Sequence, residues 1–185
     1  FLEHMLFMGN KKYPDEDFFD SHVKKYGGYS NAYTATFETV YFFQCNNEGI
    51  EIACDCFSEF FKSPLFDKSS VGREINAINS EHSKNLESDI FRLRHFMNSK
   101  SKKDSILNKF YTGNLKSFNK DVRKDMLELY NKYYVSENIT ICIHSNLSFK
   151  KKKKLLKSFE SIENKKSTPY PFSIEKPLFN KTNEI

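Results

Sequence analysis

Apolar residues recur along this chain with two periods, and each change of period marks a new element. Phe1 to Met8 reads as the end of an apolar helix, with Gly9 and Asn10 as its C-terminal stop. Pro14, Asp15 and Glu16 open a second helix, in which Phe18, Phe19, Val23 and Tyr26 recur at helical spacing until Gly27-Gly28 ends it. The period then shortens to two. Tyr29 to Thr36 and Val40 to Cys45, parted by Phe37-Glu38-Thr39, have the composition and spacing of a β-hairpin. Helical spacing returns at Ile50, Ala53, Cys54, Phe57, Phe60 and Phe61 and stops at Pro64. A longer amphipathic helix is expected from about Asp67 to Met97, with Ile75, Ile78, His82 and Leu86 along one side. Asp121 to Tyr134 forms another. Ile139, Ile141 and Ile143 alternate with Thr140, Cys142 and His144 as a half-buried strand. Ser148 caps a last helix with Leu155, Leu156, Phe159 and Ile162 on its core side, and Pro169, Pro171 and Pro177 mark an extended tail.

A hairpin mixed with amphipathic helices, without regular βαβ alternation, predicts an α+β fold: an antiparallel sheet with helices packed on one face. The 185 residues fit one domain, with 1–165 folded and 166–185 as an extended, proline-containing segment. With 19 Phe and no Trp, the core should be packed largely by phenylalanine rings. A net charge of +5, from 29 basic and 24 acidic residues, is too mild to call for nucleic acid. No apolar run reaches the roughly 18 residues that span a bilayer, so a membrane is not an expected partner either. Cys45, Cys54, Cys56 and Cys142 lack the paired spacing of a zinc ribbon and read as reduced, mostly buried thiols. A cytoplasmic setting is expected, and any targeting peptide would lie upstream of Phe1.

Chemistry is concentrated in a few places. Glu3 and His4 sit on an apolar helix, where a carboxylate and an imidazole are costly unless each has a partner. A divalent metal would compensate them if a second histidine lay one helical turn away, because residues four apart share a face. Without that histidine, the pair is equally an amphipathic helix end with a surface Glu and His. Glu74 and Glu81 are seven residues apart, hence on one helix face, with Ile78 between them. They are either solvated glutamates or carboxylates that reach inward. Lys150 to Lys154 begins an amphipathic helix and is read as its solvent face. His22, His82, His95 and His144 have no ligand-like spacing, and Cys54 and Cys56 point to different helix faces.

Taken in order, FLEHMLFMGNKKYPDE at the start, GGYSNAYTA over 27–35, KSPLFD over 62–67, REINAINSEHSKN over 73–85 and YTGN over 111–114 resemble one family. It is the pitrilysin-type zinc metallopeptidases with the inverted H-x-x-E-H motif, family M16, in the insulysin-like branch. The resemblance implies that His4 is a Zn2+ ligand, Glu81 the third protein ligand, Glu3 the general base and Glu74 a carboxylate behind the ligands. It implies that Asn31 and Ala32 pair with the backbone of a peptide substrate. It also places Phe7, Tyr33 and Phe91 beside the scissile bond, with core packing as the competing role for each. Residues 1–165 then represent part of a first catalytic domain whose partners are peptide substrates and the remaining homologous domains of a longer enzyme. The first zinc histidine of the pattern would immediately precede Phe1, so the 185 residues by themselves should be inactive. The implied activity is hydrolysis of peptides of moderate length; a non-catalytic subunit that grips substrate is the alternative.

Overall fold

The computed structural model describes residues 1–110, 112–118, 121–166 and 179. Their helices and strands run α1 (Leu2–Met5), α2 (Phe18–Lys25), β1 (Tyr29–Thr34), β2 (Thr39–Gln44), α3 (Ile50–Glu59), α4 (Lys68–Leu86), α5 (Asp89–Ser99), α6 (Val122–Tyr133) and α7 (Phe149–Leu156). The fold is α+β, with the two strands in one antiparallel sheet. Two compact units are present. The first is built on Phe1–Val71 and Arg123–Thr168, the second chiefly on Gly72–Val122.

The first unit is organised by aromatic packing. Phe60 is 1% exposed, and its ring lies 5.0 Å from Phe7, 5.0 Å from Phe19 and 5.3 Å from Phe57. Phe43 of β2 joins this group, 5.5 Å from Phe19 and 5.1 Å from Phe57. Tyr41 meets Phe7 at 6.2 Å and Phe61 at 5.7 Å. Phe42, between them in sequence, is exposed. Strand alternation therefore gives β2 one face for α2 and α3 and one for solvent, as the period of two requires. Strand β1 pairs with β2 so that Tyr29 faces Gln44, Ala32 faces Tyr41 and Thr34 faces Thr39. Gly27 has a φ of +69° and ends α2, while a Cβ on Gly28 would stand 1.7 Å from the Gln44 carbonyl oxygen. Only glycine allows the chain to enter the sheet there.

Two segments that are distant in sequence are joined beneath α1. Gly9, at a φ of +77°, turns the chain, and its carbonyl accepts from Leu65 N at 3.2 Å. Lys11 N donates to the Ser63 carbonyl at 3.0 Å. Asn10 is 1% exposed; its Oδ1 accepts from Tyr13 N at 2.8 Å and Lys12 N at 3.1 Å, and its Nδ2 donates to Cys56 Sγ at 3.6 Å. The stop signal after α1 is thus also a buried polar tie to α3. Phe66 ends this joint with a φ of +49°, packed 5.1 Å from Tyr130 while Arg123 Nε donates to its carbonyl at 2.8 Å.

In the second unit Ile78 is buried, His82 Nδ1 lies 3.0 Å from Thr112 Oγ1, and Leu115 N donates to Asn79 Oδ1 at 3.1 Å. Two sequence expectations change here and beyond. The helix expected over 67–97 is two helices, because Ser88 is extended (φ −92°, ψ 122°) and starts α5 afresh. No residue of α5 is buried, so its apolar residues gave the right periodicity for the wrong element length. The strand expected at Ile139–His144 is absent: this stretch pairs with no strand among the described residues. An alternating pattern makes a strand only where a neighbour completes its hydrogen bonds. The segment 166–185 lies outside the described residues, apart from 166 and 179. By contrast, Ser148 does cap α7, accepting from Lys151 N at 3.4 Å, and Leu155, Phe159 and Ile162 are buried. The lysine run is mostly exposed, with Lys154 Nζ 3.1 Å from Glu51 Oε1.

Asp55 of α3 accepts the Tyr13 hydroxyl at 2.5 Å and pairs with Lys12 Nζ at 2.6 Å. Burial pushes this carboxyl up, but the Lys12 and Tyr13 hydrogen bonds outweigh it and hold Asp55 below its ordinary value. Such a depressed carboxyl stabilises the fold above its unfolded-state value near 3.8, and the benefit is lost as pH falls through the lower folded value. Asp55→Asn should therefore cost roughly 1–2 kcal/mol at pH 7. The difference in thermal midpoint from wild type should shrink towards nothing as pH falls below 3.8 and through the lower folded value.

Burial pushes the Cys54 and Cys56 thiols up to about 12. Cys142 is exposed and Cys45 intermediate. Thiol reactivity follows the accessible thiolate. Titration of the folded protein with a thiol-specific chromophoric disulfide at pH 8 should label Cys142 first and Cys45 more slowly. Cys54 and Cys56 should react only on unfolding.

Candidate active site

The apolar side of helix α1 is anchored on both flanks of the charged pair. Leu2 and Met5 are buried in the aromatic core, which turns Glu3 and His4 away to half-buried positions. Glu3 is held: the Thr34 hydroxyl donates to its Oε2, and Thr34 Oγ1 lies 3.3 Å from Thr39 Oγ1 across the hairpin. Half-buried Tyr41 adjoins this group, with its hydroxyl 2.7 Å from that of Tyr134. Burial, then the neighbouring Tyr134, push the Tyr41 phenol far up, and the Glu3 charge adds to the same direction. The Tyr41 hydroxyl thus stays neutral.

The β1 edge is set by the register. Ala35 N donates to the Glu38 carbonyl at 2.8 Å, which makes that couple a hydrogen-bonded pair. Alternation then turns the backbone of Asn31 and Tyr33 towards β2 and the backbone of Ala32 away from it. Asn31 Oδ1 accepts from Ala32 N at 2.8 Å. Of the two residues expected to meet a substrate backbone, Ala32 presents main-chain groups and Asn31 a side chain.

Tyr33 is 50% exposed on β1. Phe7 is packed among Phe19, Tyr41 and Phe60 in the aromatic core. Phe91 belongs to the second unit, where it lines a cavity of about 450 Å³ together with Leu86, Phe96 and Phe110. Arg92, Arg94 and Lys109 also line it, and among the described residues no carboxylate does. Its wall includes His82, whose ring meets Phe110 edge-on at 5.2 Å. On α4, Glu74 is half-buried and Glu81 exposed, two turns apart with buried Ile78 between them. Glu3 and His4 are thus carried by one unit, and Glu74, Glu81 and Phe91 by the other.

An imidazole and a carboxylate are suitable zinc donors, so His4 and Glu81 fit in kind. They do not fit in number: among the described residues no three His, Cys, Asp or Glu side chains gather into a group that could hold a metal. The residue that the motif reading overlooked is Thr34. Its signal was available in the alternation of β1, which puts Thr34 on the same sheet face as Ala32, opposite Thr39.

Residues 1–104 match the model of the insulinase family, peptidase family M16, and residues 121–184 match that of the peptidase M16 inactive domain. The chain is 41% identical over 150 residues to the A-factor-processing enzyme of Saccharomyces cerevisiae, covering 77% of this chain and 15% of that protein. It is 37% identical over 186 residues to the insulin-degrading enzyme of Homo sapiens, covering 96% of this chain and 18% of that protein. Among solved structures, pitrilysin superposes with a TM-score of 0.89 at 28% identity, over 97% of this chain and 19% of pitrilysin. The chain therefore spans less than a fifth of each of these relatives. A family model that covers more than half of the 185 residues, and a pitrilysin-like fold beneath it, place this chain in the insulinase family, peptidase family M16.

Proposed function

We propose that this chain is part of a zinc-dependent endopeptidase that cuts peptides of moderate length, with Glu3 as the general base. The observation that carries the reading is the meeting of Glu3 with Thr34, two residues after an edge position whose backbone faces outward. A carboxylate and a free strand edge are what peptide hydrolysis needs from one place: a proton acceptor and a means of aligning the substrate. The names of the A-factor-processing and insulin-degrading relatives support peptides as the substrate class.

In this reading His4 and Glu81 would hold zinc, together with a donor from outside these 185 residues. Bound zinc supplies Lewis acidity towards the peptide carbonyl. The chain's own residues do the rest. Ala32 pairs with the substrate main chain and extends it along β1, with the Asn31 carboxamide beside it. Glu3 takes a proton from the attacking water and returns it to the departing amine. Phe91 and the apolar cavity around it receive a substrate side chain, and Tyr33 flanks the strand. Phe7, set among core rings, shapes the floor under α1 instead of touching substrate. The second reading is a non-catalytic subunit that keeps the strand edge and grips peptide without cleaving it.

The test uses the full-length protein that carries this chain. Glu3→Gln should keep its zinc and bind peptide with little change, because the metal donors and the strand edge are intact. Its single-turnover cleavage should fall by about two to four orders of magnitude. Near-normal cleavage removes Glu3 as the base, and loss of zinc makes it a ligand. If wild type itself binds peptide and cleaves nothing, the gripping subunit is the correct reading.

Glu81 and Glu74 separate by metal content. Glu81→Gln should lose zinc, since an amide is a poorer ligand than a carboxylate, while Glu74→Gln keeps most of it. Metal analysis of both variants after dialysis checks this, and the reverse ranking would exchange their roles.

A further inference from the structure

We infer that Thr34, backed by Thr39, is the positioning residue for Glu3: it ties Oε2 of the carboxylate and leaves Oε1 to take the proton. The inference rests on Glu3 being the base. Its physical content is a count of protons. An ionised carboxylate only accepts, so the contact between Thr34 and Glu3 uses the one proton of the Thr34 hydroxyl. The 3.3 Å approach of Thr39 Oγ1 must then be a donation from Thr39 to Thr34. The hydrogen bonds run in one direction, from Thr39 through Thr34 to Glu3.

The chain has structural reasons to be rigid. Thr34 and Thr39 are directly opposed in the register, at the end of the hairpin where the tight connection fixes their spacing. Both are β-branched and so keep few side-chain rotamers in a strand. Glu3, in contrast, has three side-chain torsions, and the Thr34 hydroxyl fixes the carboxylate at their end. A base that must meet a water at hydrogen-bond distance gains from having one oxygen fixed, since misplacement by about 1 Å can cost a hundredfold in rate.

Thr34→Val preserves shape and branching and removes the donor; Thr34→Ser restores it. In the full-length protein Thr34→Val should lower kcat by roughly tenfold with KM nearly unchanged, as expected for a misplaced catalytic group. Thr34→Ser should recover most of that loss. In a Glu3→Gln background Thr34→Val should have no further effect. In crystals of the metal-free protein, Glu3 should occupy several rotamers in the Val variant and a single one in wild type and the Ser variant. A rise in KM with kcat intact would mean that Thr34 acts on the substrate strand, and would overturn the inference. So would a Ser variant as slow as Val, or a fixed Glu3 rotamer in the Val variant. The two claims fail separately. An active Glu3→Gln enzyme sinks the base and the positioning together, whereas an inactive Glu3→Gln beside a fully active Thr34→Val removes only the positioning.

Discussion

The burial of Phe60 among the rings of Phe7, Phe19 and Phe57 is the interaction on which the rest of the first unit depends. Phe7 follows α1, Phe19 belongs to α2, and Phe57 and Phe60 lie at the end of α3, so no single element can form its apolar face without the others. Aromatic side chains bury large areas and prefer edge-to-face contact, which fixes angles as well as distances. Helix α1 is the clearest beneficiary. Its apolar side is held because Leu2, Met5 and Leu6 are buried in the same core. The orientation of Glu3 and His4 is thus a consequence of hydrophobic packing on the opposite side.

Much of this was legible in the residue pattern. The hairpin, α3, α6 and α7 follow their apolar periods because each buries one face, and burial is what the period records. Legibility failed where burial is absent. On α5, Ile90, Leu93 and Phe96 are 79%, 60% and 58% exposed, so nothing in the periodicity revealed that Ser88 begins a new helix. The Ser88-Asp89 pair was the available start signal, and the continuous apolar spacing on either side concealed it. The isoleucines at 139, 141 and 143 failed for the opposite reason: alternation describes a face, whereas a strand needs an edge partner that no local pattern specifies.

The candidate site divides in the same way. The expected chemistry came from the resemblance of whole segments, FLEHMLFMGN and GGYSNAYTA among them, because the Glu-His pair alone also reads as a surface helix end. What they could not name was the contact between Glu3 and Thr34, which joins residues 31 positions apart and depends on register. Nor could they distinguish Phe7 from Phe91. Both are aromatic, yet one is locked among core rings and the other lines a cavity of the second unit.

Register itself is decided at Gly28. Because a side chain there would collide with the Gln44 carbonyl, this position marks where β1 can begin against β2. Side chains alternate across a sheet, so a slip of one residue would exchange the two faces of the strand. Thr34 would turn to solvent, Ala32 would direct its amide into the hairpin, and Tyr33 would be driven against α1. The paired glycines at 27 and 28 thus act as a phase lock. They contain no reactive atom, yet they determine which residues of the strand can be neighbours of Glu3 at all.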